Sequence, residues 1–90
     1  MARSRRSLTE IRMEMLREAA KEPIRPTRLM YKVNVSWAPL QRELENLIAM
    51  GWLETVKVDG DRRSVFEYRT TSKGIEILRK WKELEVDLKF

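Results

Sequence analysis

Ninety residues can bury one small core and leave no room for a separate catalytic domain. With 42% hydrophobic residues, 37% charged residues and a net charge of +5, the chain suits an anionic partner, nucleic acid before an acidic membrane. Cysteine and histidine are both absent, which excludes disulfides, thiolate chemistry and the commonest general base and metal ligand, and no apolar run nears the roughly 20 residues of a membrane span.

MARSRR is basic, has nothing to bury and lacks the apolar stretch of a signal peptide, so residues 1–6 read as an arm. The charge excess is concentrated at this end. Residues 1–32 hold nine Lys/Arg against four Asp/Glu, residues 33–58 two against three, and residues 59–90 eight against seven. SLTE then reads as a capping box, Ser7 accepting from an amide three residues on and Glu10 reaching back. Leu8, Ile11, Leu16 and Ala19, with Met15 and Ala20 beside them, recur at helical spacing and predict a first helix over 8–22, stopped by Pro23. Pro26 suits the first turn of a short second helix, with Leu29 and Met30 inward. VNV is too short for anything but a turn, and Asn34 tolerates a left-handed backbone.

Ser36 is the expected cap of a third helix, and Pro39 is tolerated in its first turn because those amides lack intrahelical partners. Leu40, Leu44, Leu47 and Ile48 make its buried stripe, and Gly51 fits the left-handed position past its end. WLETVKV and SVFEYRT are rich in β-branched and aromatic residues and flank Asp59-Gly60, a hairpin signal. Thr71 caps a last helix with Ile75, Leu78, Trp81, Leu84 and Leu88 as apolar positions. Helix, short helix, turn, helix, hairpin, helix is the order of a winged helix-turn-helix. The fold class is α+β and mainly helical, with a two-stranded β-hairpin wing and a C-terminal helix. The expected organisation is an arm over 1–6, the winged domain over 7–72, and a C-terminal helix over 73–90 available for dimerisation.

LMYKVNVSWAPLQRELENLIAMGWLE resembles the core of archaeal winged helix-turn-helix proteins grouped as predicted transcriptional regulators, among them a small chromatin-associated subfamily. The shared marks are Tyr31, Lys32, Asn34, Trp37 and the Leu44, Leu47, Gly51 spacing. YRTTSKGIEIL resembles the same proteins' strand-to-helix junction through Tyr68, Thr71, Lys73 and Gly74, while Thr70 departs from the apolar residue usual there. The likeness spans residues 8 to 85. It implies a DNA-binding protein of the nucleoid and cytoplasm. The chromatin-type relatives pair through a long C-terminal helix in an antiparallel coiled coil; with the last helix running to Phe90, a coiled coil of that length is not expected here.

Taking the leucines of the third helix as inward, a 3.6-residue period turns Ala38, Arg42, Glu45 and Ala49 outward, with Gln41 at the flank. Ser36, Ala38, Gln41 and Arg42 then occupy the part of a recognition helix that reaches base edges, where Arg suits guanine, Gln adenine and a methyl group thymine. On an exposed face without DNA, Arg42 and Glu45 would instead form an ion pair with each other. Trp37 is in phase with the buried stripe, yet at the helix start its ring can also lie on the sugar–phosphate backbone. Arg28 and Lys32 are candidates for phosphates. Arg62 and Arg63 at the hairpin tip, with Lys57 and Arg69 behind them, suit phosphate or the minor groove, unless Asp59 and Asp61 neutralise them. Arg3, Arg5 and Arg6 of the arm suit the minor groove.

Ile77, Trp81, Leu84 and Leu88 form a short heptad-like seam for a homodimer, against the competing explanation that this helix folds back on the first. Ile75 and Leu78 are expected on the domain's own core. The sequence carries no catalytic constellation, and no cofactor, metal or membrane partner is expected. The reading is a DNA-binding regulator or chromatin-type binder that uses helix 36–50 in the major groove of double-stranded DNA. A winged-helix docking module for other proteins is the alternative.

Overall fold

A computed structural model describes residues 6–59 and 64–88 of the chain. The order is α1 (Leu8–Lys21), α2 (Pro26–Val33), α3 (Trp37–Ala49), β1 (Leu53–Asp59), β2 (Ser64–Thr70) and α4 (Ser72–Leu88). Four helices and one antiparallel hairpin make a mainly helical α+β winged helix, as the sequence predicts.

The capping box of α1 forms in both directions, Glu10 N–H donating to Ser7 Oγ at 3.1 Å and Ser7 N–H to Glu10 Oε1 at 2.8 Å. The helix ends one residue earlier than expected. Glu22 is extended at φ −168°, ψ 158° because the following Pro23 disfavours the helical backbone there. Ile24 exchanges two backbone hydrogen bonds with Tyr68, at 3.0 and 2.8 Å, an isolated bridge beside β2 that no strand pattern around Ile24 announces. Val33 completes α2 and is buried, so the turn is shorter than VNV implied. Asn34 is left-handed at φ 57°, and its N–H closes on the Met30 carbonyl.

Ser36 occupies the cap position of α3 with extended backbone, but its hydroxyl makes no capping bond. The reason lies three residues on. A cap hydroxyl usually accepts from the third helical amide, and here that residue is Pro39, which has none. The other end is as expected: Gly51 is left-handed at φ 79°, its N–H bonds Ile48 O at 2.9 Å, and Trp52 N–H bonds Leu47 O at 2.9 Å. That paired closure is a Schellman motif. It holds Trp52 outside β1, which begins at Leu53 rather than at the tryptophan. The register runs from Leu53↔Thr70 to Asp59↔Ser64. Asp59 is therefore a strand residue, and the connection over 60–63, with Gly60, lies outside the described residues.

The core joins Met13, Met15, Leu16 and Ala19 of α1 to Ile24, Leu29, Val33, Leu40, Leu44, Leu47 and Leu53. Ile48, expected in the stripe, is 38% exposed; it lies a 100° step from Leu47 and falls on the stripe's edge. Leu8 and Ala20 are exposed too, while Met13 is buried, because α4 packs on α1 and moves the covered face round toward Met13. Of the α4 residues, Ile77, Leu78 and Trp81 pack against the core, whereas Ile75, expected there, is 46% exposed.

The junction between β2 and α4 explains the YRTTSKG run. Thr70 is buried at 7% exposure and donates its hydroxyl to Leu16 O at 2.7 Å, so a threonine in this nominally apolar position is satisfied by α1. Thr71 caps α4 by accepting from Gly74 N–H at 3.1 Å, and donates to Gly51 O at 2.6 Å. A Cβ on Gly74 would lie 2.3 Å from the Trp52 carbonyl oxygen. That approach requires glycine.

Candidate nucleic-acid interface

The inward leucines of α3 fix what its other side offers. Leu40, Leu44 and Leu47 are buried, and Ser36, Trp37, Ala38, Gln41, Arg42, Glu45 and Ala49 are all exposed, as the helical period requires. Trp37, in phase with the buried stripe yet at the helix start, is 41% exposed. The ion pair expected between Arg42 and Glu45 does not form. Among the described residues neither has an ion-pair partner; the paired carboxylate is Glu43, whose Oε1 accepts from Arg12 Nε at 2.6 Å. That half-buried bridge ties α1 to the inner flank of α3, with Asn46 donating to the other Glu43 oxygen at 3.4 Å. Arg42 faces outward, with no counter-charge among the described residues.

The second helix presents a polar arc beside this surface. Thr27, Arg28, Tyr31 and Lys32 are exposed while Leu29 and Val33 are buried. Among the described residues neither Arg28 nor Lys32 forms an ion pair. Tyr31 is 79% exposed, the highest figure among the large apolar side chains described. In the sequence Tyr31 stands out only as a mark of the family likeness, yet its place three residues after Arg28 puts both on one helical arc.

The arm and the wing divide. Arg6, expected to reach the minor groove, pairs with Glu14 and donates to the Asn34 carbonyl at 3.1 Å. Its guanidinium thus links the start of the chain to the turn between α2 and α3. Arg69 is held by Glu54 across the hairpin at 2.8 Å, and Arg25 stands 3.9 Å from Glu67. Lys57 is exposed. Arg3, Arg5, Arg62 and Arg63 lie outside the described residues. Between α3 and the hairpin, Pro26, Trp37, Gln41, Leu44, Glu45 and Tyr68 line an open recess of about 200 Å³.

On the far side, Ile77 and Trp81, expected in a dimer seam, are half-buried against the domain's own core, because α4 lies along α1. Leu84 remains 50% exposed, and the Leu88 side chain lies outside the described residues. Among the described residues no group of three His, Cys, Asp or Glu gathers, and no helix is long and apolar enough to cross a membrane.

Known proteins carry the same fold. The family model described as winged helix-turn-helix matches residues 5–89. Among solved structures, the transcriptional regulator BldR from Sulfolobus solfataricus is similar at a TM-score of 0.76 and 22% identity, over 87% of this chain and 55% of that one. FabT from Streptococcus pneumoniae, solved in complex with DNA, is similar at 0.71 and 26% identity, over 92% of this chain and 57% of that one. ZitR from Lactococcus lactis, a zinc-responsive MarR family member, is similar at 0.72 and 20% identity, over 89% and 55%. The chain thus spans little more than half the length of these three proteins. No curated protein matches it in sequence. With a family match running over nearly its whole length, on the element order described above, the chain belongs to the winged helix-turn-helix family.

Proposed function

We propose that this protein is a non-enzymatic DNA-binding protein, a transcriptional regulator or chromatin-type binder, acting on double-stranded DNA in the cytoplasm and nucleoid. The observation that carries the reading is the outer side of α3. Arg42 and Gln41 stand exposed there, Arg42 has no counter-charge among the described residues, and small Ala38 and Ser36 lie at the leading end. Small residues at that end let a helix approach base edges closely, and Arg and Gln supply the paired donors and acceptors that read them. Arg28 and Lys32 on α2 add phosphate contacts. Arg62, Arg63 and the arm residues Arg3 and Arg5 add charge for phosphate or minor groove. Likeness to FabT, solved in complex with DNA, favours the same partner. Arg6 is assigned a different part from the other arm arginines, that of steadying the α2–α3 turn.

A homodimer through the terminal helices is part of the proposal. Thr9, Met13, Trp52, Ile77, Lys80, Trp81 and Leu84 line an apolar groove of about 270 Å³ at the α1–α4 face. A second copy's Leu84 and Leu88 would cover it. Sedimentation equilibrium of wild type and Leu84→Glu tests this, with a shift toward monomer in the variant expected.

Mobility-shift titration on random and selected duplexes at several salt concentrations tests the main reading. Binding should weaken with salt along a log–log slope of about −0.9 for each phosphate neutralised. Equal affinity for every sequence assigns a chromatin role, and a preferred sequence assigns a regulator. No binding to any duplex at low salt would leave a protein-docking module instead.

A further inference from the structure

The flank of α4 opposite Trp81 and Leu84 forms a second groove with α1. Arg17 of α1 and Ile75, Leu78, Arg79 and Lys82 of α4 line an open recess of about 350 Å³. The four α4 residues follow one another at three- and four-residue steps or lie side by side, a single stripe about 10 Å long at a helical rise of about 1.5 Å per residue. Arg17 stands one turn after Met13 and so faces α4 from the other helix. Apolar side chains make the floor: Leu78 is half-buried against the core, and Ile75 is 46% exposed. Cations make the rim, for Arg17, Arg79 and Lys82 are all exposed. Of these, Arg79 is held by Glu76 at 2.6 Å. The carboxylates beside Arg17 on its own helix are taken elsewhere, Glu14 by Arg6 and Glu18 by Lys21 at 3.1 Å. Arg17 and Lys82 therefore have no ion-pair partner among the described residues, and the recess stays positive on both sides.

We infer that this recess docks a short acidic and apolar peptide segment of a partner protein. About three extended residues, at roughly 3.3 Å each, span the stripe. A large apolar side chain of such a segment covers Ile75 and Leu78. A carboxylate beside it accepts from Arg17 and Lys82, one cation from either helix, in charge-assisted hydrogen bonds. Charge complementarity selects the acid, and the apolar floor selects its neighbour. The same two features disfavour other anions. A nucleic-acid backbone brings charge without a large apolar side chain for the floor. A lipid surface takes up apolar side chains that protrude, whereas Leu78 is set back behind exposed cations. None of the five lining residues belongs to α2, α3 or the hairpin, so a peptide seated here leaves the outer side of α3 free.

The test is fluorescence anisotropy of the full chain with a labelled peptide alternating glutamate and leucine. Control peptides carry glutamine for glutamate, or serine for leucine. The acidic and apolar peptide should bind with a Kd below about 1 mM, and each control should bind at least about threefold more weakly. Arg17→Ala and Lys82→Ala should each raise Kd about twofold to fivefold, the range of one charged contact at an exposed site. Ile75→Ser should also weaken binding, while Lys73→Ala, at an exposed cation outside the recess, should not. Amide shifts on peptide addition should gather at Arg17, Ile75, Leu78 and Lys82 and spare residues 36–45. No binding at millimolar peptide, equal binding of the glutamine control, or wild-type Kd in both Arg17→Ala and Lys82→Ala would overturn the site. Two other occupants are distinguished in the same series. Phosphatidylglycerol vesicles held by wild type and lost in Arg17→Ala, with no peptide bound, would overturn it in favour of a lipid surface. The chain's own Glu83, Leu84 and Glu85 are acidic and apolar too; a shift toward monomer in Arg17→Ala by sedimentation equilibrium, with no peptide bound, would overturn it in favour of a second copy.

Discussion

Gly74 is the position where sequence and structure give opposite signs for the same substitution. It lies in the first turn of α4 and is not among the residues of positive φ, so helix propensity alone predicts that Gly74→Ala stabilises the chain by up to about 1 kcal/mol. The surroundings reverse this. The new Cβ would stand 2.3 Å from Trp52 O and 2.6 Å from Thr70 Cγ2. Neither neighbour can move cheaply. Trp52 O accepts from Thr71 N–H at 3.0 Å, and Trp52 is pinned by its own N–H to Leu47 O; Thr70 is buried and bonded to Leu16 O. Relief requires α4 to lift from the hairpin base, weakening one or two hydrogen bonds at about 1 kcal/mol each and overpacking the site at about 1–3 kcal/mol. Against the propensity gain, the net is a loss of about 2 kcal/mol. For a domain of this size that lowers Tm by roughly 8–16 °C. Thermal melts followed by far-UV circular dichroism measure it. A Tm equal to or above wild type would refute the close approach and the account of the junction built on it.

Four further outcomes follow from the same contacts. Thr70→Val should change stability by less than about 1 kcal/mol in urea melts, since a lost hydrogen bond of about 1 kcal/mol is offset by a buried methyl while Leu16 O keeps its helical bond. Glu43→Ala should cost about 1–2 kcal/mol by chemical denaturation, because it strands half-buried Arg12 and loosens α3 from α1. Arg6→Ala should cost less than about 1 kcal/mol overall, since the pair is partly exposed, but hydrogen exchange at Val35 should quicken as the turn loses its guanidinium tie. In competition binding, Arg42→Ala should narrow the preference for a selected duplex over a random one, whereas Arg28→Ala should weaken both alike.

Local chemistry made most of the fold legible. The capping box of α1, Asn34 in the left-handed turn, Gly51 past α3 and Thr71 before α4 all depend on side-chain and backbone bonds within a few residues, and each stands where its spacing put it. What the chain pattern hid was decided by distant partners. Ile48 and Ile75 fit their apolar stripes but sit at the edges of a core too small to cover them, while Met13 is buried because α4 happens to cross that side of α1. Ser36 carries the residue type of a cap but lacks a donor, and the cause, Pro39, was visible in the sequence. On the candidate interface, the outward period of α3 gave Ala38, Gln41 and Arg42 correctly as exposed. That Glu43 rather than Glu45 would take an arginine, and that Arg6 would turn back to Asn34, depends on how α1 packs against α3 and the turn. No local spacing encodes it.

The central claim is that the outer side of α3, with the adjoining arc of α2, is the surface that meets duplex DNA. NMR titration of the labelled chain with a duplex tests it most directly. The account predicts that amide shifts concentrate at residues 36–45, Arg28, Tyr31 and Lys32, with a further shift at Lys57, while Ile75 and Leu84 on α4 stay in place. Shifts centred on the α1–α4 face with α3 unmoved would contradict it.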